Sequence, residues 1–394
     1  MEREKYGIKS RLMQKTKRNI AISKPSFTEA EWLAMKEPLD SGWLTQGPMV
    51  KAFEIEFAKR HEVKHALAVS NCTTALHLSL LAAGVGPGDE VIVPAFTWVA
   101  TANAVLYCQA TPVFVDIDPL SFNLDPKLLR EKINPHTKAI IPVHLFGLCA
   151  DMDAIRNAAG NIPLIEDAAC AAGSAYKGKP AGGLGLLGCF SFHPRKSITT
   201  GEGGMITTND DKLAEQVDIL RNHGASVSEE QRHSGPRPFI LPDFDCLGFN
   251  YRMTDIQGAI GKVQLAKLDV FISERNEWAD FYSKQLASIP WIKTPVVSDN
   301  FKHGWQSFVL TIDETKSPMR RNEMMDHLQK CGISTRPGTH AVHMLNFYKN
   351  KFKISPEDFP NAQLANDTSM SIPLHNKMAE EDFIYVVEHL KALA

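Results

Sequence analysis

Between about Pro25 and Gln264, short apolar runs alternate with longer stretches whose apolar positions recur three or four residues apart. Ala66–Ser70 (ALAVS) predicts a strand and Thr73 to Ala83 a helix. Glu90–Pro94 (EVIVP) predicts the next strand, about Trp98 to Tyr107 a helix, and Pro112–Val115 a further strand. The alternation continues through a strand at Ala139–Val143, a helix from Asp151 to Ala159, and strands at Leu164–Glu166, Cys189–Phe192 and Gly204–Thr208. Repetition of this kind predicts α/β architecture with a mostly parallel sheet, and ligands of such sheets sit beyond the carboxyl ends of the strands. Thr254-x-x-Gln257 is a capping box that opens a long helix, continuous or broken, reaching to near Leu286, with Ile256, Ile260 and Val263 on one face. Pro290 and Pro295 then mark a boundary. Beyond it Phe308–Ile312 reads as a strand, and Arg321–Cys331 and Glu380–Leu393 as helices. The expected division is an N-terminal extension over 1–18, a large α/β domain over 19–264, and a linking helix with a smaller C-terminal α+β domain over 265–394.

Two stretches are apolar enough to suggest a membrane span. Val91 to Val115 carries no charge, and Ala66 to Gly88 carries only His77. Pro94, Asn103, Gln109 and Pro112 interrupt the first, and Asn71 to Thr74 and Gly84 to Gly88 interrupt the second. Both read as buried strand–turn–helix units. The 394 residues include 43 Lys and Arg against 45 Asp and Glu, a net charge of −2. That balance lacks the basic surplus of a nucleic-acid binder. Seven Cys without a CxxC or a Cys/His cluster read as free thiols in a reducing, cytoplasmic compartment, with no metal site. The basic stretch from Arg3 to Arg18 lacks an apolar signal core and reads as a surface arm.

The segment CFSFHPRKSITTGEGG (Cys189–Gly204) ends a strand and enters a polar loop that holds Lys196. Gly201, Gly203 and Gly204 are expected to let the backbone turn sharply. A lone lysine is ordinarily a solvated surface group. Within the run Pro163–Ala169, Asp167 falls at the end of a buried strand, where a carboxylate alone is usually a helix cap or a salt-bridge partner. Ser70–Thr74 joins a strand to a helix; it is an ordinary N-cap or, with its free N–H groups, an anion site. The three in this order match the needs of pyridoxal phosphate (PLP): a phosphate cradle, a carboxylate for the protonated ring nitrogen, and a lysine for the Schiff base.

These motifs resemble the sugar aminotransferases of the DegT–StrS type, PLP enzymes of the aspartate-aminotransferase fold. The stations are GWLTQGP (Gly42–Pro48), SNCTTALHL (Ser70–Leu78), GDEVIVPAFTWVATANAV (Gly88–Val105), PVFVDID (Pro112–Asp118), EDAACAAG (Glu166–Gly173), CFSFHPRKSITTGEGGM (Cys189–Met205), LRNHG (Leu220–Gly224) and LGFNYRMTDIQGA (Leu247–Ala259). The resemblance implies that Lys196 is the Schiff-base lysine and Asp167 the pyridinium partner. It implies that Cys72 and Thr73 bind the phosphate through backbone N–H groups, together with Ser191, and that Trp98 stacks on the cofactor ring. Asn250 matches a residue reaching the phosphate from the partner subunit of a homodimer, with Arg252 beside it. Cys170 stands where many members have Gln or His facing the phenolic oxygen of the cofactor, and Ala172 where His is frequent. The loop Ser226–Asp245 is a variable segment near the partner active site, and Thr335–His340 is similar to members acting on 4-keto sugars.

What the resemblance implies about activity is transfer of an amino group, with glutamate as donor, to a nucleotide-linked keto sugar at C4. The product would enter a surface polysaccharide or a glycosylated metabolite. Lys196 has to be neutral to act as nucleophile and base, and nearby cofactor charge with partial burial should favour that form. The alternatives are a PLP-dependent sugar dehydratase, in which His replaces the lysine, and a non-catalytic regulator on the same scaffold.

Overall fold

The structure is a computed structural model, and it describes residues 18–225, 241 and 243–394. The basic stretch up to residue 17, and the loop 226–245 apart from 241 and 243–245, lie outside the described residues.

Seven strands form the large sheet: β1 (His65–Val69), β2 (Glu90–Pro94), β3 (Thr111–Val115), β4 (Thr137–Ile140), β5 (Ile165–Asp167), β6 (Leu187–Ser191) and β7 (Gly204–Thr208). β2 pairs in parallel with β3 and β4, and β5 with β6. Parallel bridges at Ile140–Leu164 and Val143–Asp167 join the two halves. Only β7 is antiparallel, to both β6 and β1. The order is therefore 3-2-4-5-6-7-1. The strands read as nearly unbroken apolar runs because both faces of the sheet are covered. Val69, Val91, Val93, Ile141, Cys189 and Ile206 pack into one core. Their chain neighbours Ala68, Ile92, Ile140, Phe190 and Met205 pack into the other.

Helices α1 (Pro48–Arg60), α2 (Cys72–Ala82), α3 (Ala100–Tyr107), α4 (Met152–Ala159), α5 (Asp211–Arg221) and α6 (Asp255–Ala266) cover that sheet. The Thr254/Gln257 capping box forms as expected, with Gln257 N–H donating to Thr254 Oγ1 and Thr254 N–H to Gln257 Oε1. The long helix is broken at Lys267, beyond which α7 runs over Leu268–Leu286. The close face of α6 is made of small residues rather than of Ile256, Ile260 and Val263, which stay half-buried. A Cβ on Gly258 would meet Met49 and Val50 backbone at 2.6–2.8 Å, so only glycine lets α6 lie this near α1.

Strands β8 (Ile292–Lys293), β9 (Phe308–Ile312), β10 (Arg336–Pro337) and β11 (Ser369–Ile372) form an antiparallel sheet in the order 8-9-11-10. Its core joins Tyr282 and Leu286 of α7 to Leu310, Met324, Phe383 and Leu390. Ile20 also packs here, held by Ile20 N–H to Gly332 O at 2.8 Å and Ser334 N–H to Ile20 O at 2.9 Å. His340–Ala341 pairs antiparallel with Phe96–Thr97, which ties the C-terminal part to the loop after β2. Among the described residues no helix is long and apolar enough to cross a membrane.

Candidate active site

The carboxyl ends of β1, β2, β5 and β6 open into one cavity of about 1070 Å³. Its lining includes Cys72, Thr73, Trp98, Asp167, Cys170, Ser191 and Lys196. Asn250 is absent from the lining; it is exposed, bridges Asn222, and accepts from Arg252 Nε at 3.2 Å.

β1 leads straight into α2, and Asn71 caps it: Asn71 Oδ1 accepts from Thr74 N–H at 2.9 Å. The cap satisfies one of the orphan donors of the helix start. The N–H groups of Cys72 and Thr73 find no acceptor among the described residues, so an eleven-residue helix offers them, with its positive end, to an anion. β7 runs against this turn. A Cβ on Gly204 would lie 2.5 Å from the Asn71 carbonyl, so this glycine serves close approach rather than a sharp turn. Gly203 does the same against Thr200 and Met253. Of the three loop glycines, Gly201 alone has a left-handed φ, +86°. Ser191 is buried at the end of β6, where its Oγ accepts weakly from His193 N–H at 3.4 Å.

Asp167 is buried at the end of β5. Its Oδ2 accepts from Thr101 Oγ1 at 2.7 Å and its Oδ1 from Ala169 N–H at 3.2 Å. Burial pushes its carboxyl pKa up, against the pull of Thr101, Ala169 and Lys196. Lys196 Nζ lies 3.1 Å from the Cys170 sulfur. Burial pulls the ammonium pKa down, but facing Cys170, Cys72 and Asp167 outweigh it, and the net direction is upward. The expectation of a neutral Lys196 joins the charge of the cofactor to partial burial; in the protein chain by itself the net direction is toward the charged form. Burial raises the Cys72 thiol well above its ordinary value. Trp98 is no core aromatic: it is 59% exposed, with its ring edge-on to His340 at 5.3 Å.

Sequence reasoning missed Thr101 and Tyr251, which lines the cavity beside His77. Arg336 and His340 line it as well, from the stretch singled out at Thr335–His340. The Arg336 guanidinium forms no ion pair among the described residues and donates only to the Thr335 carbonyl at 2.9 Å.

These residues fit PLP. The open N–H groups of α2 with Ser191 suit a phosphate dianion. Asp167 is a buried carboxylate in need of a cationic partner, and Lys196 supplies the amine.

The sequence profile of the DegT/DnrJ/EryC1/StrS aminotransferase family matches residues 25–391. The chain is 39% identical over 383 residues to the spore coat polysaccharide biosynthesis protein SpsC of Bacillus subtilis, covering 96% of this chain and 98% of the relative. It is 40% identical over 375 residues to GDP-perosamine synthase of Caulobacter vibrioides, covering 94% and 97%. Among solved structures, the proposed sugar aminotransferase Spr1654 of Streptococcus pneumoniae superposes in its PMP form with a TM-score of 0.89 at 30% identity, covering 95% and 99%. Its PLP form gives 0.88 at 31% identity, covering 95% and 98%.

Proposed function

This chain belongs to the DegT/DnrJ/EryC1/StrS aminotransferase family, with the aspartate-aminotransferase-like α/β fold and PLP as cofactor, and from that premise we propose that it aminates a nucleotide-linked keto sugar at C4. Glutamate is the proposed donor, and a surface polysaccharide or glycosylated metabolite the proposed destination. The names of the relatives support the sugar: one is a GDP-perosamine synthase and another serves spore coat polysaccharide. A cavity of about 1070 Å³ has room for a cofactor and a large second substrate.

When bound, PLP takes up the amino group and draws electrons from the carbanion formed at the donor's α-carbon. Cys72 and Thr73 N–H, with Ser191 Oγ, bind the phosphate group. Asp167 keeps the proton on the ring nitrogen. Trp98 would pack against the cofactor ring, and Cys170 would face its phenolic oxygen, to which a thiol is a weak hydrogen-bond partner. Lys196 Nζ takes the proton from the donor's α-carbon and returns one to C4 of the sugar, which requires that it shed its extra proton first. Arg336 offers an unpaired guanidinium to a carboxylate or phosphate of the substrates.

The protein is proposed to act as a homodimer in the cytoplasm. Asn250 lies outside its own cavity, and Trp32, Leu33, Phe244 and Leu247 are large apolar side chains exposed by 58–86% each, which a second copy could cover. Seven cysteines, none of them joined in a disulfide among the described residues, suit a reducing compartment.

The observation that carries the reading is the meeting of Lys196, Asp167 and the open start of α2 in one cavity. The test is spectroscopic. Glutamate should bleach the visible absorbance of the PLP-loaded protein, and a nucleotide-linked 4-keto sugar should restore it. No bleaching by any amino acid would overturn the aminotransferase reading, and recovery only with 3-keto sugars would overturn the C4 assignment.

A further inference from the structure

Thr101 sits in the first turn of α3, fully buried, and its hydroxyl is held on two sides. Its Oγ1 lies 2.7 Å from Asp167 Oδ2 and 3.1 Å from Thr97 Oγ1. An ionised carboxylate only accepts hydrogen bonds, so Thr101 donates to Oδ2 and accepts from Thr97. Ala169 N–H donates to Oδ1 at 3.2 Å, a single long bond that leaves that oxygen with acceptor capacity to spare. We infer that Thr101 is a positioning residue for transamination: its hydroxyl locks Oδ2 of Asp167, so that Oδ1 is the oxygen offered to the ring nitrogen of the cofactor.

The hydrogen-bond directions also favour the charged form. A proton on Oδ2 would force Thr101 to reverse and a proton on Oδ1 would displace the Ala169 bond, whereas the carboxylate keeps both. Burial works the other way and raises the Asp167 pKa, with the Thr101 bond opposing it first and the Ala169 bond next. The other titratable groups facing Asp167 are Lys196 from the loop after β6, His144 from the loop after β4, Cys72 of α2 and Cys189 of β6. Among the described residues, only Thr101 and Ala169 hydrogen-bond the carboxylate oxygens.

The inference rests on Asp167 as the ring-nitrogen partner, and the experiment separates the two. The donor half-reaction is followed in a single turnover by loss of visible absorbance, beside cofactor content and melting temperature. Thr101→Val should keep cofactor content while slowing the half-reaction by about tenfold to a hundredfold, as loss of a buried charge-assisted hydrogen bond does. Its acidic limb should move to higher pH, because a carboxyl without its donor stays protonated longer. Thr101→Ser should restore the wild-type pH profile. In an Asp167→Asn background, Thr101→Val should slow the reaction no further. Equal slowing by Thr101→Val in both backgrounds, or an acidic limb that does not move, overturns the inference while the assignment of Asp167 stands. A full rate in Asp167→Asn itself overturns both. Should Thr101→Val not fold, Thr101→Ala enters the same cycle with the same criteria.

Discussion

Glu166 and Asp167 are adjacent carboxylates at the end of β5, and the strand sends them to opposite faces of the sheet. On the Glu166 side every acceptor position is used. Oε2 takes His144 Nε2–H at 2.9 Å and Gly182 N–H at 2.6 Å, and Oε1 takes Leu184 N–H at 2.7 Å and Gly185 N–H at 2.5 Å. His144 Nδ1 accepts from Ala150 N–H at 3.1 Å, which places the ring proton on Nε2. On the Asp167 side there are two partners and an open cavity. Burial alone thus separates nothing: Glu166 is 0% exposed and Asp167 5%. What separates them is saturation. A buried carboxylate with every lone pair met by backbone and imidazole donors fixes a fold, and one with spare capacity beside a lysine awaits a ligand.

The largest expected effect falls on the cavity side. Lys196→Ala should cost about a thousandfold or more in turnover, since it removes both nucleophile and base. Its melting temperature should match the wild type without added cofactor, because the side chain faces the cavity and, among the described residues, bonds only Cys170. Near-normal turnover would erase the contrast between the two faces.

Next is the contribution across the proposed dimer. Asn250→Asp should weaken cofactor binding by setting a carboxylate against the phosphate. Co-expressed with Lys196→Ala, it should restore about a quarter of wild-type sites, since each mixed dimer carries one site with neither lesion. An activity no higher than the better single variant, with mixed dimers demonstrated by differential tags, would confine Asn250 to its own subunit.

The smallest effect is expected at Cys170. Cys170→Gln should keep activity within about tenfold, because the side chain faces the cavity and bears no fold-holding bond beyond its contact with Lys196. Loss of activity with cofactor still bound would mean that the site is rebuilt around the smaller thiol.

The two faces also differ in how far they were legible. Parallel strands announce themselves because residues such as Val91, Ile92 and Val93 are all apolar when both faces are covered. Strand ends and the α2 start fall near their expected places, which is why Asp167, Ser191, Lys196 and the Cys72–Thr73 turn meet. Thr101 was invisible because a threonine in a helix's first turn looks like any other; its role comes from a contact with Asp167 across the sheet order. Arg336 and His340 could be flagged by pattern but not placed, since their position depends on the pairing of His340–Ala341 with Phe96–Thr97. The helix break at Lys267 left no glycine or proline signal at the site. Gly203 and Gly204 pointed to a turn, whereas close packing is what excludes a side chain there.

The most direct test is to remove the charge from each neighbour in turn, measuring unfolding free energy and the donor half-reaction on the same preparations. Glu166→Gln puts an amide NH₂ against backbone donors and should lower stability by about 3 kcal/mol, while molecules that remain folded react at near the wild-type rate. Asp167→Asn should leave stability almost unchanged and slow the half-reaction by about a hundredfold, with cofactor content largely kept. The reverse pattern, a stable but inactive Glu166→Gln beside an unstable but active Asp167→Asn, would contradict the division of labour between the two faces of β5.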